Sequence, residues 1–107
     1  MKRKTFKILF FIKKTRVSKN GEVPVLLRVT VNGLRAETSV SLKVHPDLWH
    51  APTGRTLGTD VKSEELNNAL DTIKLKIMKI HREMEFDGVR ITAKDIIEKY
   101  QGKDEKS

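Results

Sequence analysis

The chain reads as an α+β domain, a three-stranded antiparallel sheet packed on a long C-terminal helix with a short second helix. Three observations predict it. Apolar residues alternate with a period of two through the first part of the chain, an Asn-Gly dipeptide joins two of those alternating runs, and from Leu66 onward the apolar spacing lengthens to three and four. At 107 residues there is room for one such unit and not for a second full domain.

The first strand is expected over residues 6–14, which are β-branched or aromatic, with Phe6, Ile8, Phe10 and Ile12 on one face. A basic loop with its own Asn20-Gly21 leads to the second strand, 23–31, where Val23, Val25, Leu27, Val29 and Val31 share a face. Asn32-Gly33 suits the positive φ angles of a type I′ turn, so a third strand follows over 34–42 with Leu34, Ala36, Thr38, Val40 and Leu42 inward. Residues 51–58 read as loop by their Gly, Pro and Thr content. Ser63 suits a helix N-cap, with Glu64 and Glu65 in the first turn, and Leu66, Leu70, Ile73, Ile77, Ile80 and Met84 form one apolar stripe of a helix ending near Gly88. Thr92 and Asp95 have capping-box spacing for a short helix carrying Ile96, Ile97 and Tyr100, followed by a charged tail, 103–107. The sheet needs a cover for its apolar face, and the long helix is the element large enough to supply it. The heptad-like stripe is accordingly read as core and not as a coiled-coil seam, with Trp49 as a plug at the core's edge.

Charge is distributed unevenly. The formal net charge is +8, yet residues 1–45 hold 11 basic and two acidic side chains, giving +9, whereas residues 46–107 hold 11 and 12, giving −1. Solubility does not require such polarity, and it points to a polyanionic partner met by the first half. On the polar face of the sheet, Arg28 and Arg35 flank the Asn-Gly turn and are expected near each other. A ribbon of two or three strands fits the DNA major groove, where arginine reads guanine and lysines suit phosphates. The same face carries Leu9, Phe11 and Leu26, which fit a thymine methyl contact, cover by the 51–60 loop, or a protein contact.

Other chemistries find little support. There is no cysteine, so disulfides, thiolate metal sites and cysteine nucleophiles are excluded. His45, Asp47 and His50 lie close together but lack a metal-binding framework, and no cofactor is expected. No glycine-rich phosphate loop or catalytic constellation is present, so no enzyme site is expected within these residues. The opening Met1-Lys-Arg-Lys4 with Ile8-Leu-Phe-Phe-Ile12 imitates a signal peptide, but five apolar residues are too few and Lys13 and Lys14 follow at once. A soluble, cytoplasmic protein with no membrane contact is the expectation.

The runs Thr5-Phe-Lys-Ile-Leu-Phe-Phe-Ile-Lys-Lys14, Asn20-Gly-Glu-Val-Pro-Val25, Leu27-Arg28-Val-Thr, Asn32-Gly33 and His45-Pro-Asp-Leu-Trp49 together resemble the N-terminal arm-type-site DNA-binding domain of tyrosine recombinases, the integrases of Bacteroides-type conjugative transposons. The resemblance covers about residues 5–100. It implies a sheet laid into the major groove of double-stranded arm-type sites of a mobile element, supporting DNA integration and recombination. It also implies other recombinase subunits as partners, with catalysis residing in a separate domain built around an arginine, lysine and histidine cluster and a tyrosine nucleophile. The single tyrosine here, Tyr100, has no such cluster, so the chain is expected to be a non-catalytic fragment and a monomer when isolated.

Carried onto this sequence, the resemblance assigns Arg28, Thr30, Arg35, Glu37 and Ser39 to the groove and Lys7, Lys13, Lys14, Arg16 and Lys19 to phosphates. The arm-binding unit is expected over 5–88, with 89–107 leading toward a core-binding domain. The alternative is a protein-interaction module that assembles the recombination complex through the apolar patch or the long helix.

Overall fold

A computed structural model describes residues 5–102; the basic opening 1–4 and the charged tail 103–107 lie outside the described residues. Three antiparallel strands, β1 (Phe6–Ile12), β2 (Val23–Val31) and β3 (Leu34–Val44), form a sheet in that spatial order, with β2 central. A short β4–β5 hairpin (Trp49–His50 and Arg55–Thr56) and two helices, α1 (Val61–Phe86) and α2 (Ala93–Gln101), complete the domain.

The period-two reading of β2 holds at every position. Val23, Val25, Leu27 and Val29 are wholly buried and Val31 nearly so, while the residues between them are partly exposed. At roughly 1.5–3 kcal/mol for each fully buried aliphatic side chain, this strand anchors the core. The turn to β3 is the tight one that Asn-Gly favours: Asn32 and Gly33 both have positive φ, 53° and 86°, and Val31 pairs with Leu34.

Three features of β3 depart from expectation. The strand continues two residues further, to Val44, and it carries a bulge: Val25 pairs with Leu42 but Leu26 with Ser39, which leaves Val40 and Ser41 as extra residues. Because two residues are inserted, the inward and outward alternation keeps its phase, and Val40 and Val44 are both buried. Ser41 takes a φ of 62° to accommodate the bulge, and its N–H donates to Ser39 Oγ at 3.3 Å. Leu34, expected inward, lies beyond the reach of the helices at the hairpin tip and is 74% exposed.

The long helix starts three residues earlier than expected. Asp60, not Ser63, is the N-cap, its carboxylate accepting from Ser63 N–H at 3.4 Å, and Ser63 is buried in the first turn. Both residue types cap well, so the extra turn is decided by the packing of Ser63. The predicted stripe is the buried face: Leu66, Leu70, Ile77 and Met84 are buried, with Ile73 and Ile80 packed against the same core. Phe6 of β1 stacks on His81 of α1 with ring centroids 3.9 Å apart.

The cover of the sheet is shared between both helices and is not the work of the long helix alone. The short helix packs on β3 and β2 as well as on α1, and its Ile96 and Ile97 lie in the common core. Thr92 caps it through Asp95 N–H at 3.1 Å, and Gln101 Nε2 donates to Thr38 Oγ1 on β3 at 2.6 Å. Trp49 packs at the core's margin, as expected. The β4–β5 hairpin is pinned to α1 by Asn67, whose side chain accepts from Thr56 N–H and donates to Thr56 C=O, both at 3.0 Å, and by an Arg55–Asp71 ion pair. No helix among the described residues is long and apolar enough to cross a membrane.

Candidate nucleic-acid interface

With both helices on one side, the other side of the sheet is open, and strand register sets out its side chains as a grid. Reading from β1 through β2 to β3, one row is Lys7, Thr30 and Arg35; the next is Leu9, Arg28 and Glu37; the third is Phe11, Leu26 and Ser39. All five groove-assigned residues therefore share this face. Arg28 and Arg35 are not opposite each other: Arg35 faces Thr30, and Arg28 faces Glu37.

Arg28 is the most constrained of the set. Its Nε donates to Glu37 Oε2 at 2.6 Å, and its guanidinium carbon lies 4.7 Å from the centroid of the Phe11 ring. A partly exposed ion pair is worth only about 0–1 kcal/mol, and an exposed cation–π contact about 0.5–1 kcal/mol. Their consequence is therefore orientation more than stability. With Nε engaged and one face of the guanidinium on Phe11, the two terminal nitrogens remain available for a bidentate acceptor such as the O6 and N7 edge of guanine.

Glu37 accordingly holds the arginine, a role that charge counting did not reveal, and Phe11 supports it from below. Ser39 also has a task within the fold, since its oxygen accepts from Ser41 N–H; the hydroxyl proton remains free to donate outward.

The phosphate-assigned cations fall at both ends of the grid. Lys7 is exposed beside Thr30 at one end, in the same row as Arg35, and Lys13, Lys14, Arg16 and Lys19 are exposed in the β1–β2 connection at the other. Lys13 lies six positions along from Lys7, about 20 Å in an extended strand, which exceeds the roughly 12 Å width of the major groove. The connection is ordered by its own bonds, with Ser18 N–H donating to Glu22 C=O at 2.8 Å and Arg16 N–H to Lys13 C=O at 3.3 Å.

Leu9 is 40% exposed, and Phe11 and Leu26 are partly so. The 51–60 loop borders Leu9, with which Pro52, Thr53 and Gly54 line a shallow pocket, and leaves it 40% exposed. The loop seats at the outer edge of β1, where Gly54 is buried so close to Phe10 that an added Cβ would stand 3.1 Å from the Phe10 carbonyl oxygen.

The other residues considered have ordinary roles. His50 Nδ1 lies 2.8 Å from Thr53 Oγ1 inside the β4–β5 turn, and among the described residues no group of three His, Asp or Glu side chains converges as a metal site. Tyr100 is half-buried, burial pushes its phenol above the usual value, and Lys76 Nζ lies 5.4 Å from its ring centroid. Buried Glu22 is held below the usual carboxylate range, chiefly by its 2.7 Å bond from the Lys62 ammonium, which ties the strand connection to α1.

A family model described as an Arm DNA-binding domain matches residues 10–97 of the chain. No curated protein and no solved structure matches it.

Proposed function

The chain belongs to the Arm DNA-binding domain family, a non-catalytic module that binds DNA sequence-specifically at arm-type sites and is typical of tyrosine recombinase N-termini; on that premise we propose that β2 and β3 enter the major groove. In this reading Arg28, Thr30, Arg35 and Ser39 face base edges, with Glu37 holding Arg28, and Lys7, Lys13, Lys14, Arg16 and Lys19 contact phosphates. The observation that carries it is the held arginine at the centre of an open sheet face bounded by cations.

The setting we infer is a DNA integration and recombination complex of a mobile element, in which the sheet and α1 over 5–88 grip the arm site, α2 completes their core, and the C-terminal end of 89–107 leads toward a core-binding domain. Other recombinase subunits are its protein partners there, and the isolated chain is a cytoplasmic monomer. A protein-interaction role is favoured by a separate observation. Leu75 and Phe86 lie on the face of α1 opposite its buried stripe, with Met78 on its flank, and Phe86 is 91% exposed. That face is suited to subunit contacts while the sheet holds DNA.

An NMR titration of the labelled chain with short duplexes at low and moderate salt tests the groove assignment. Shifts confined to β2 and β3 that persist at moderate salt with one sequence are expected. Diffuse shifts over the lysines that vanish with salt would remove the assignment.

A further inference from the structure

Resting on the reading that this sheet face enters the major groove, we propose that Leu9 and Leu26 are specificity-determining residues that read the 5-methyl groups of thymines beside the base pair met by Arg28. Leu9 is the direct register partner of Arg28, and Leu26 lies two residues away on the same face of β2. These aliphatic side chains therefore both neighbour the arginine, Leu9 across the pairing on the edge strand β1 and Leu26 along β2 in the next row.

The chemistry of the surroundings selects the occupant. No helix packs on this face, and the loop that borders β1 leaves Leu9 40% exposed. A leucine offers nothing to a phosphate, and the floor of the major groove presents one apolar substituent, the thymine methyl. The apolar strip is also interrupted by Arg28 and bounded along β1 by Lys7 and Lys13. A protein covering the strip would have to desolvate those cations, whereas a duplex meets the leucines with methyls and the cations with phosphates. Phe11 is already occupied beneath the guanidinium, which leaves the two leucines as the free apolar contacts.

The test begins with selection by the full chain from a pool of randomised duplexes. The enriched sequence is then remade with deoxyuridine replacing thymine one position at a time, a change that removes the methyl and keeps every hydrogen-bonding group. The expected result is a loss of about four-fold in affinity at one or two positions adjacent to a guanine, the size of one buried carbon. Leu9→Ala or Leu26→Ala should bind the thymine and deoxyuridine duplexes equally while still depending on Arg28.

An enriched sequence that lacks thymine beside the guanine, or one bound equally well with deoxyuridine throughout, would overturn the proposal and leave groove binding intact. Failure to enrich any sequence over scrambled duplexes at moderate salt would remove the groove reading and the proposal together. A concentration-dependent mass without DNA, abolished by Leu9→Ala, would assign the strip to a protein contact. The deoxyuridine series uses the unaltered protein, so it decides the matter even where a leucine variant folds poorly.

Discussion

Val25, Leu27 and Val29 on one face of β2 are shut away from solvent, while Leu26, Arg28 and Thr30, each one residue along, stand on the open face. The two sets share a backbone and differ only in the parity of their position. The buried set is constrained by volume and accepts little but aliphatic side chains of similar size. The open set is constrained by what it meets, and it mixes a leucine, an arginine and a threonine that no core would hold together. Stability and recognition are thus interleaved along a single strand and remain separable by substitution.

The sharpest way to break that separation is to cross it. Leu27→Ala should destabilise the fold by about 2–5 kcal/mol in urea denaturation, because a wholly buried side chain is lost between sheet and helices. Arg28→Ala, its immediate neighbour, should leave the urea midpoint almost unchanged and cost about 1–3 kcal/mol of discrimination at one base pair in competition binding. If Leu27→Ala altered sequence preference while Arg28→Ala unfolded the domain, the division of labour would be wrong. A smaller effect is expected within the open face: Lys13→Ala or Lys19→Ala should weaken every sequence alike and reduce the slope of log affinity against log salt by about one.

How much of this was legible follows from the same parity. Period two placed Val23 to Val31 in the core, and Asn32-Gly33 announced the turn, since few other dipeptides accept two positive φ values. The Arg28–Glu37 pair was legible too, because a two-residue turn at 32 and 33 makes residues whose numbers sum to 65 partners. Charge alone grouped the two arginines and missed it. The bulge was not legible, since Ser41 carries no glycine-like preference for its φ of 62° and the inward and outward alternation on either side of it keeps its phase. The Asn67 clamp on Thr56 was equally hidden, as nothing local ties a helix surface asparagine to a residue 11 positions earlier.

The smallest expected effect concerns the tie between the strand connection and α1. The Glu22 carboxyl is lowered in the folded state, mainly by the Lys62 hydrogen bond. Its contribution is therefore complete above the ordinary carboxylate value and is lost as pH falls through the folded one. Lys62 is largely exposed, so solvent screening keeps the effect modest. Thermal unfolding followed from neutral to acid pH should show a shallow decline that Glu22→Gln flattens, with DNA affinity at neutral pH unchanged.

The close seat of Gly54 against Phe10 has a consequence for solubility. A sheet can polymerise only through a strand whose backbone edge is open, and here the β1 flank is plugged by a residue whose φ of 65° and lack of a side chain let the loop press home. Strand exchange between molecules is blocked on that flank for as long as the plug holds. A larger residue at position 54 would have to adopt a φ of 65° and set its Cβ 3.1 Å from the Phe10 carbonyl oxygen, so it would loosen the loop's seat and weaken the protection of that flank against edge-to-edge pairing.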